Sequence, residues 1–330
     1  NIGISGGGSY YHLHAYGNLN LTWTRDPRKK SRRSMPIAAI GREISAAQDP
    51  PIKLIWINGS NVVNQAPDSR QIIRAFENVE FKVVVDAFMN DTAQRADLIL
   101  PSTLMLEQED IIGSYLHEYV QHVKPALQPP VEARDDIWIL RKIGKRLDPP
   151  VKLPDTETCL QRSLEKPCLQ VSLEQLRREG CARADLPKIA YAGLAFDHPD
   201  GKYRFPLILH PEPPVDRQYP LRLLSLVRRR AIHSQILPED QDDPPRIWVA
   251  PDNPLLPTID PNREVYVVSP LGRLKVTLDI LSGLHPAVVL YRRGDWMNRG
   301  GGVNQLIAAG LTDIGSGAHF YDQYVRLENS

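Results

Sequence analysis

Three apolar runs between residues 52 and 101 constrain the fold of this chain more than any other feature. They cover residues 52–57, 81–85 and 98–100, and each ends abruptly at a polar residue or a proline. The first two begin about 30 residues apart, which is the length of one strand–helix–strand unit with parallel strands. Continuous apolar strands are typical of a sheet that is covered on both faces. The sequence therefore predicts an α/β domain with a doubly wound, mostly parallel sheet.

Polar residues follow the first two of these predicted strands. Ligands of parallel α/β sheets bind outside the carboxyl ends of the strands, where the sequence places Gly59, Asn61 and Asp86. Glycine lets a backbone approach a phosphate, and asparagine both donates and accepts hydrogen bonds. The carboxylate of Asp86 can accept two hydrogen bonds from a ribose diol or from the N–H pair of guanine. Two interpretations of Asp86 stay open: nucleotide binding, and capping of the segment that starts near Asn90.

From Tyr219 onward the sequence pattern changes to that of β-structure. Six short apolar or alternating runs with turn residues between them predict a compact barrel or sandwich. These runs are 221–226, 246–250, 264–268, 274–278, 287–291 and 324–327. The proline-bounded stretch before them has the character of a connection. We expect an α/β domain over residues 1–150, a linker over 151–215 and a six-stranded β-barrel over 216–330.

A helix is also predicted over Arg134–Leu147. Asp135 and Asp136 fall in its first turn, where the helix dipole favours carboxylates. This favourable interaction with the helix dipole is by itself enough to explain an acidic residue at Asp136. The residues of this helix that the periodicity places on its buried stripe are Ile137, Leu140, Ile143 and Leu147.

Composition excludes several classes of function. The formal net charge of +1 argues against a dedicated nucleic-acid or membrane surface. No apolar run approaches the roughly 18 residues that a membrane span needs. The cysteines Cys159, Cys168 and Cys181 lack Cys-x-x-Cys spacing, so we expect neither an iron–sulfur nor a structural zinc site in this chain. The chain begins at Asn1, and we expect it to be a piece of a longer polypeptide whose compartment is left open.

Three features near the start of the chain carry weaker predictions. The glycine run at residues 6–8 lacks the strand-then-helix context of a dinucleotide fingerprint and is interpreted as a loop. His12 and His14 share one face of a strand, but no third metal ligand lies nearby in the sequence. The basic tract Arg25–Arg33 lacks interleaved aromatic residues and is interpreted as a solvated loop.

Ordered motifs across the chain add a resemblance to a known family. The segments WINGSNVVNQ, VVVDAFMNDTAQRADLILP and EARDD occur in that order, followed near the end by GVNQL. In this order and at closely similar spacing they resemble the G-x-N, D-x-F-x-x-T-A-x-x-A-D-x-x-L-P, E-A-x-x-D and V-N-x-L motifs of the molybdopterin oxidoreductases of the dimethyl-sulfoxide reductase superfamily. The combination is far more specific than any single glycine motif.

The resemblance implies a set of cofactor-binding residues. In the α/β part it assigns Gly59, Asn61, Val85 and Asp86 to a guanine dinucleotide, Asp136 to its guanine, and Gln108 to a weaker contact. In the barrel it assigns Asn304 to the pterin. His233 and Ser234 are expected to face a pterin or a phosphate, and Arg228 lies in the same loop. Trp296 and Tyr321 fall at positions where the family has cofactor-contacting residues. Without the resemblance, His233 is interpreted as a surface histidine, and the two aromatic residues as core or rim positions.

The resemblance also implies the chemistry. The intact enzyme would carry molybdenum or tungsten between two molybdopterin guanine dinucleotides and transfer an oxygen atom with two electrons, as in sulfoxide, N-oxide or sulfur-oxyanion reduction. No residue here matches the metal ligand, so no catalytic or metal-binding residue is assigned. The isolated segment is expected to be inactive, with the N-terminal catalytic half as its partner. An iron–sulfur cluster is expected only in that missing half, and an iron–sulfur electron-transfer subunit is a candidate partner.

Two other classes of function stay open from the sequence. One is a separate, non-catalytic subunit that binds the cofactor and pairs with a catalytic chain. The other is a pterin-free nucleotide-binding enzyme in which Asp86 holds a ribose. A bound NAD or ATP in place of a guanine nucleotide would distinguish the last class.

Overall fold

The computed structural model describes residues 19–24, 33–114, 117–186, 189, 191–194, 196, 198–205, 207–212 and 214–330. The chain divides into two compact units that interleave in the sequence: unit 1 takes in 1–32 and 101–205, and unit 2 takes in 33–100 and 206–330. The predicted boundaries at 150 and 215 do not coincide with this division, and the domain assignment stays a prediction. The glycine run, His12, His14 and the basic tract up to Arg32 lie outside the described residues.

The first part of unit 2 is an α/β layer. Its strands are β1 (Leu54–Asn58), β2 (Phe81–Asp86) and β3 (Leu98–Pro101), in the order β1-β2-β3. Strands β1 and β2 are parallel, with Leu54 beside Phe81 and Asn58 beside Val85. The helices of this layer are α1 (Ile40–Ala46), α2 (Val62–Gln65) and α3 (Ser69–Glu77). The predicted parallel pair is therefore confirmed.

Helix α3 shows why this segment folds as it does. It begins after Asp68, whose Oδ1 accepts a hydrogen bond from the Gln71 backbone N–H at 3.0 Å, as expected of an N-cap residue. Its apolar face buries Ile72 and Phe76 in the core of the layer. The prediction of a sheet covered on both faces holds only in part, because β1 is half-buried along its length and Leu54 is exposed.

The second part of unit 2 is a closed barrel of six strands in the order β10-β8-β11-β7-β12-β9. The strands are β7 (Leu221–Leu226), β8 (Arg246–Val249), β9 (Val265–Ser269), β10 (Gly272–Ile280), β11 (Val288–Arg292) and β12 (Tyr324–Asn329). Alternate residues point inward, so that Leu221, Leu223 and Ile247 are completely buried. The predicted combination of an α/β sheet and a six-stranded barrel is confirmed.

Unit 1 contains a small antiparallel sheet of β4 (Asp110–Ile112), β5 (Tyr119–Val123) and β6 (Cys181–Arg183). Its helices are α4 (Asp136–Gly144), α5 (Thr156–Leu164) and α6 (Leu173–Glu179). Helices α5 and α6 and strand β6 lie in the range that we expected to be a linker. Within the part of the chain that the structure describes, no helix is long and apolar enough to cross a membrane.

Helix α4 is shorter than predicted, and the prediction of which residues form its buried stripe is wrong. Asp135 is the N-cap and accepts the Trp138 backbone N–H at 2.8 Å, so Asp136 is the first helical residue. Leu140 and Ile143 are exposed, at 43% and 37%, whereas Ile139 is buried. Helical periodicity specifies which residues share a face, but only the packed neighbours decide which face is buried.

Candidate functional site

The carboxyl ends of β1 and β2 bring three of the predicted residues together. The Gly59 backbone N–H donates to the Val85 carbonyl at 2.9 Å, and Asp86 follows Val85 at the end of β2. Gly59 has a φ of +56°, and no described atom lies within 4 Å of where its Cβ would be. Glycine is favoured here by its left-handed backbone, and it leaves space above the strand ends.

The carboxylate of Asp86 holds the turn that follows β2. Its Oδ1 accepts from the Phe88 backbone N–H at 3.0 Å, and its Oδ2 accepts from the Asn90 amide at 2.9 Å. Asn90 in turn accepts from the backbone N–H groups of Thr92 and Ala93, at 3.1 and 3.0 Å. The local cap is therefore Asn90, which Asp86 orients. Because each carboxylate oxygen can accept a second hydrogen bond, Asp86 keeps capacity for a ligand.

Asn61 is buried at the start of α2, and its amide has a defined orientation. The Val63 backbone N–H donates to the Thr92 hydroxyl at 3.1 Å, and that hydroxyl donates to Asn61 Oδ1 at 2.9 Å. The amide nitrogen then faces the other way, and no described residue lies within hydrogen-bonding distance of it. A buried N–H without an acceptor is unfavourable by about 1–3 kcal/mol, so this position favours a ligand that accepts.

On the barrel side, Ser234 joins α2 to the loop after β7. Its hydroxyl accepts from the Gln65 amide at 3.0 Å, and its carbonyl accepts from the Trp296 indole N–H at 2.9 Å. Trp296 is buried, and its N–H is thus already used by the protein. His233 is exposed and has a φ of +52°, a conformation that is uncommon outside glycine. Among these residues, His233 has the side chain most accessible to a ligand.

Asn304 lies where the barrel meets α2. It is 4% exposed, and its amide N–H donates to the Asn64 backbone carbonyl at 2.6 Å. Within the described ranges, its Oδ1 has no hydrogen-bond donor. Asn64 is one of two residues that sequence reasoning missed, since it lies in the segment WINGSNVVNQ but outside its G-x-N motif. Its Oδ1 is also buried and without a donor among the described residues.

Asp91 is the second residue that sequence reasoning missed. Its carboxylate accepts from the Asn64 amide at 2.5 Å and from the backbone N–H groups of Met297 and Asn298, at 2.8 and 2.9 Å. It thereby holds the barrel loop after Trp296 against α2. The only sequence signal was its place inside the motif segment between Asp86 and Pro101, because its barrel partners are more than 200 residues away.

Arg228 lies beside a buried acid. Its Nη2 is 3.6 Å from Asp295 Oδ1, and its Nε donates to the Arg293 carbonyl at 3.2 Å. Asp295 accepts a hydrogen bond from the Tyr291 hydroxyl, and burial raises the pKa values of both groups. The Arg228 guanidinium is partly exposed, so some of its five N–H donors can reach an anion such as a phosphate.

The side chain of Tyr321 is exposed, unlike those of Asp295 and Tyr291. Its side chain is 44% exposed, and the contact that the structure gives it is made by its backbone carbonyl, which accepts from Arg222 Nε at 2.8 Å. Of the two structural interpretations of Tyr321, core and rim, the rim position therefore fits the fold. An exposed aromatic ring remains able to contact a ligand at the barrel surface.

Gln108 and Asp136 belong to unit 1, where they line one cavity of about 450 Å³. Gln108 Oε1 accepts from the Thr103 hydroxyl at 2.6 Å, which leaves its amide N–H groups for other acceptors. Burial raises the pKa of the Asp110 carboxyl in the same cavity, and the charge of Asp136 adds to that rise. The cavity is therefore rich in hydrogen-bond acceptors, as a ligand edge with several N–H groups requires.

The residues of unit 2 fit a polar ligand that both donates and accepts. Asn61 offers an unmatched donor, Asn64 and Asn304 offer unmatched acceptors, and Gly59 leaves space at the strand ends. Such groups are rare in buried positions unless a ligand or water pairs with them. No three His, Cys, Asp or Glu side chains are grouped as a metal site within the described residues. The fold and the site together define a class of ligand-binding proteins that combine an α/β layer with a β-barrel.

Comparison with known proteins specifies this class further. The family model for molybdopterin oxidoreductases matches residues 17–146. The chain is 28% identical to a probable oxidoreductase, YyaE, of Bacillus subtilis, over 100% of this chain and 53% of that protein. It is 25% identical to a putative catalytic chain of dimethyl sulfoxide reductase from Halobacterium salinarum, over 85% of this chain and 38% of that one.

A solved structure supports the fold. Acetylene hydratase from Pelobacter acetylenicus matches with a TM-score of 0.73 at 16% identity, over 89% of this chain and 46% of that one. The chain thus spans about half the length, or less, of the relatives that it matches. These matches support a relationship to the molybdopterin oxidoreductases of the dimethyl sulfoxide reductase superfamily. That family implies a pterin cofactor that carries molybdenum or tungsten.

Proposed function

We propose that this chain is the cofactor-holding C-terminal half of a bis(molybdopterin guanine dinucleotide) oxidoreductase. The observation that carries the proposal is the cluster of buried amides where α2 meets the barrel. Asn61, Asn64 and Asn304 each keep one amide atom without a partner among the described residues. A dinucleotide cofactor with a pterin supplies both phosphate acceptors and ring N–H donors, and so matches both kinds of unmatched group.

Each predicted residue has a specific task in this proposal. Gly59, Asn61 and Asp86 would bind a nucleotide at the strand ends, where the backbone of Gly59 is open and Asp86 can accept N–H or O–H groups. Val85 is completely buried and would act only through its backbone. Gln108 and Asp136 would bind the guanine of a dinucleotide in the cavity of unit 1.

The barrel residues would bind the pterin and its phosphate. Arg228 offers guanidinium N–H donors to a phosphate, His233 offers an exposed imidazole, and Asn304 offers a carbonyl oxygen to a ring N–H. Ser234 and Trp296 would act chiefly by fixing the loop that carries His233, since their polar groups bond to each other and to Gln65. When bound, the cofactor supplies the two-electron oxygen-atom transfer, and this chain binds and orients it.

The proposed reactions are the reduction of sulfoxides, N-oxides or sulfur oxyanions. The relatives support sulfoxides and N-oxides, since they include a dimethyl sulfoxide/trimethylamine N-oxide reductase. The N-terminal half of the same enzyme would supply the metal ligand and any iron–sulfur cluster. We therefore expect the isolated 330-residue chain to catalyse no turnover. An iron–sulfur electron-transfer subunit is the proposed partner, in keeping with relatives that are named as one chain of a larger enzyme.

The test is the content of molybdenum, tungsten and acid-released GMP in the natively purified full polypeptide. The proposal predicts one metal and about two GMP per polypeptide. Asp86→Ala should lower the GMP content, whereas Asp97→Ala, which removes an exposed carboxylate that binds Lys82 on the same sheet, should not. GMP without metal would favour a non-catalytic binding subunit. Bound NAD or ATP without pterin would refute the proposal and favour a nucleotide-binding enzyme.

A further inference from the structure

We infer that the side-chain carbonyl oxygens of Asn64, whose amide Asp91 orients, and of Asn304 accept hydrogen bonds from N–H groups of the bound pterin. This makes Asn64 a cofactor contact and Asp91 a positioning residue. The inference rests on the proposed function, since it assumes that unit 2 holds a pterin. We call Asn64 and Asn304 the amide pair.

The position of Asp91 is set by three donors. Its side chain is 1% exposed and accepts from the Asn64 amide and from the Met297 and Asn298 backbone N–H groups, at 2.5, 2.8 and 2.9 Å. Hydrogen bonds to a carboxylate are about twice as strong as those between neutral groups. A buried carboxylate with three donors from two parts of the chain is therefore a fixed point between α2 and the barrel loop.

The orientation of each amide is set by the acceptor that its N–H group meets, which is Asp91 for Asn64 and the Asn64 backbone carbonyl for Asn304. A carboxylate only accepts, so the Asn64 Nδ2 must face Asp91, and the Asn64 Oδ1 must face away. The Asn64 backbone carbonyl also only accepts, so the Asn304 Nδ2 must face it, at 2.6 Å. Neither Oδ1 has a donor among the described residues. The result is two acceptors whose orientation neither amide can reverse without losing its bond.

The chemistry of the acceptors selects the ligand. Phosphates and carboxylates only accept, so they cannot pair with two carbonyl oxygens, whereas the lactam and amino N–H groups of a pterin can. Gly302 packs closely against this region, because a Cβ added there would lie 2.4 Å from Met297 Cγ and 3.4 Å from Asn64 Oδ1. A side chain at residue 302 would therefore clash with Met297 and crowd the carbonyl oxygen of Asn64.

The experiment compares variants of the full polypeptide. Asn64→Ala and the near-isosteric Asn64→Leu remove the acceptor, and Asp91→Asn removes the group that orients it. Asn78→Ala and Asp97→Asn are matched controls, because Asn78 is an exposed helix-end amide and Asp97 is an exposed carboxylate of the same sheet. The readouts are released pterin per polypeptide after dialysis, and the rise in melting temperature from the cofactor-free to the loaded protein.

The inference predicts that both Asn64 variants and Asp91→Asn retain the pterin about tenfold more weakly or worse, and gain less melting temperature on loading. The controls should behave as wild type. If wild type carries pterin and the Asn64 variants retain it equally well, the inference fails while the proposed function stands. If wild type carries no pterin, the proposed function itself fails.

Two further outcomes are decisive. Loss of the folded state in both cofactor-free Asn64 variants would overturn the inference, because Asn64 would then be required for structure and not for the ligand. A second arm uses polypeptide made in cells that cannot attach the nucleotide. If the Asn64 variants also retain the nucleotide-free pterin less well than wild type, contact between Asn64 and the pterin is supported. If they retain only the dinucleotide less well, the inference is refuted and a contact with the guanine nucleotide is indicated.

Discussion

Replacing Gly301 by alanine is expected to destabilise unit 2 strongly, and for a steric reason only. An alanine Cβ at this position would lie 1.9 Å from Asp295 Oδ2 and 2.5 Å from its Cγ. The backbone of Gly301 does not have a left-handed φ, so alanine is excluded by space and not by conformation. The carboxylate of Asp295 must therefore move.

The size of the effect follows from what Asp295 contacts. Its carboxylate is 1% exposed and accepts the hydrogen bond of the Tyr291 hydroxyl, which is equally buried. Overpacking of a core costs about 1–3 kcal/mol, and a buried polar group left without its partner costs about 1–3 kcal/mol more. We expect Gly301→Ala to lower the free energy of unfolding by about 2–6 kcal/mol.

The assay is urea unfolding of the cofactor-free polypeptide, with Gly315→Ala as the matched control. Gly315 has a φ of +78°, and no described atom lies within 4 Å of its Cβ position. Alanine there should cost only about 1 kcal/mol of backbone strain. In an Asp295→Ala background the steric cost of Gly301→Ala should largely disappear. Equal costs in both backgrounds would refute the assigned clash.

Two further predictions concern the barrel and unit 1. Leu223→Ala, which truncates a completely buried side chain of the barrel core, should lower the free energy of unfolding by about 2–5 kcal/mol, measured by urea unfolding. In unit 1, hydrogen bonds from Arg177 lower the pKa of Glu109. The ionised Glu109 should therefore stabilise the fold fully above the usual glutamate pKa of about 4.3, and this stabilisation should be lost as the pH falls through the lowered pKa of the folded state. Glu109→Gln should flatten the dependence of the urea midpoint on pH between about 3 and 5, and an unchanged slope would contradict this assignment.

The local elements were predictable from the sequence because their signals are local. Strand β7 has the predicted bounds of Leu221–Leu226. Apolar alternation marks a strand, and a cap residue such as Asp68 marks the start of a helix. Both signals lie within a few residues of one another, so neither requires knowledge of the rest of the fold.

The predicted site residues were only partly explained by their motifs. Asn61 and Asn304 are buried, and the motifs that contain them do not reveal which atom of each amide lacks a partner among the described residues. The predicted stripe of α4 failed for a related reason, since Leu140 is exposed although the periodicity favoured its burial. Burial depends on what packs against a face, and that is decided by distant segments.

The sequence by itself predicted the parallel strands of the α/β layer and the six strands of the barrel, and it carries the ordered motifs. The tertiary structure alone decided the hydrogen bonding of the buried polar groups. Asp91 and Met297 are 206 residues apart in the chain, yet their contact helps to fix the carboxylate that orients the amide of Asn64. Each buried donor or acceptor must find its partner wherever the fold provides one. For that reason the unmatched amide atoms, which carry the functional argument, are visible only in the folded chain.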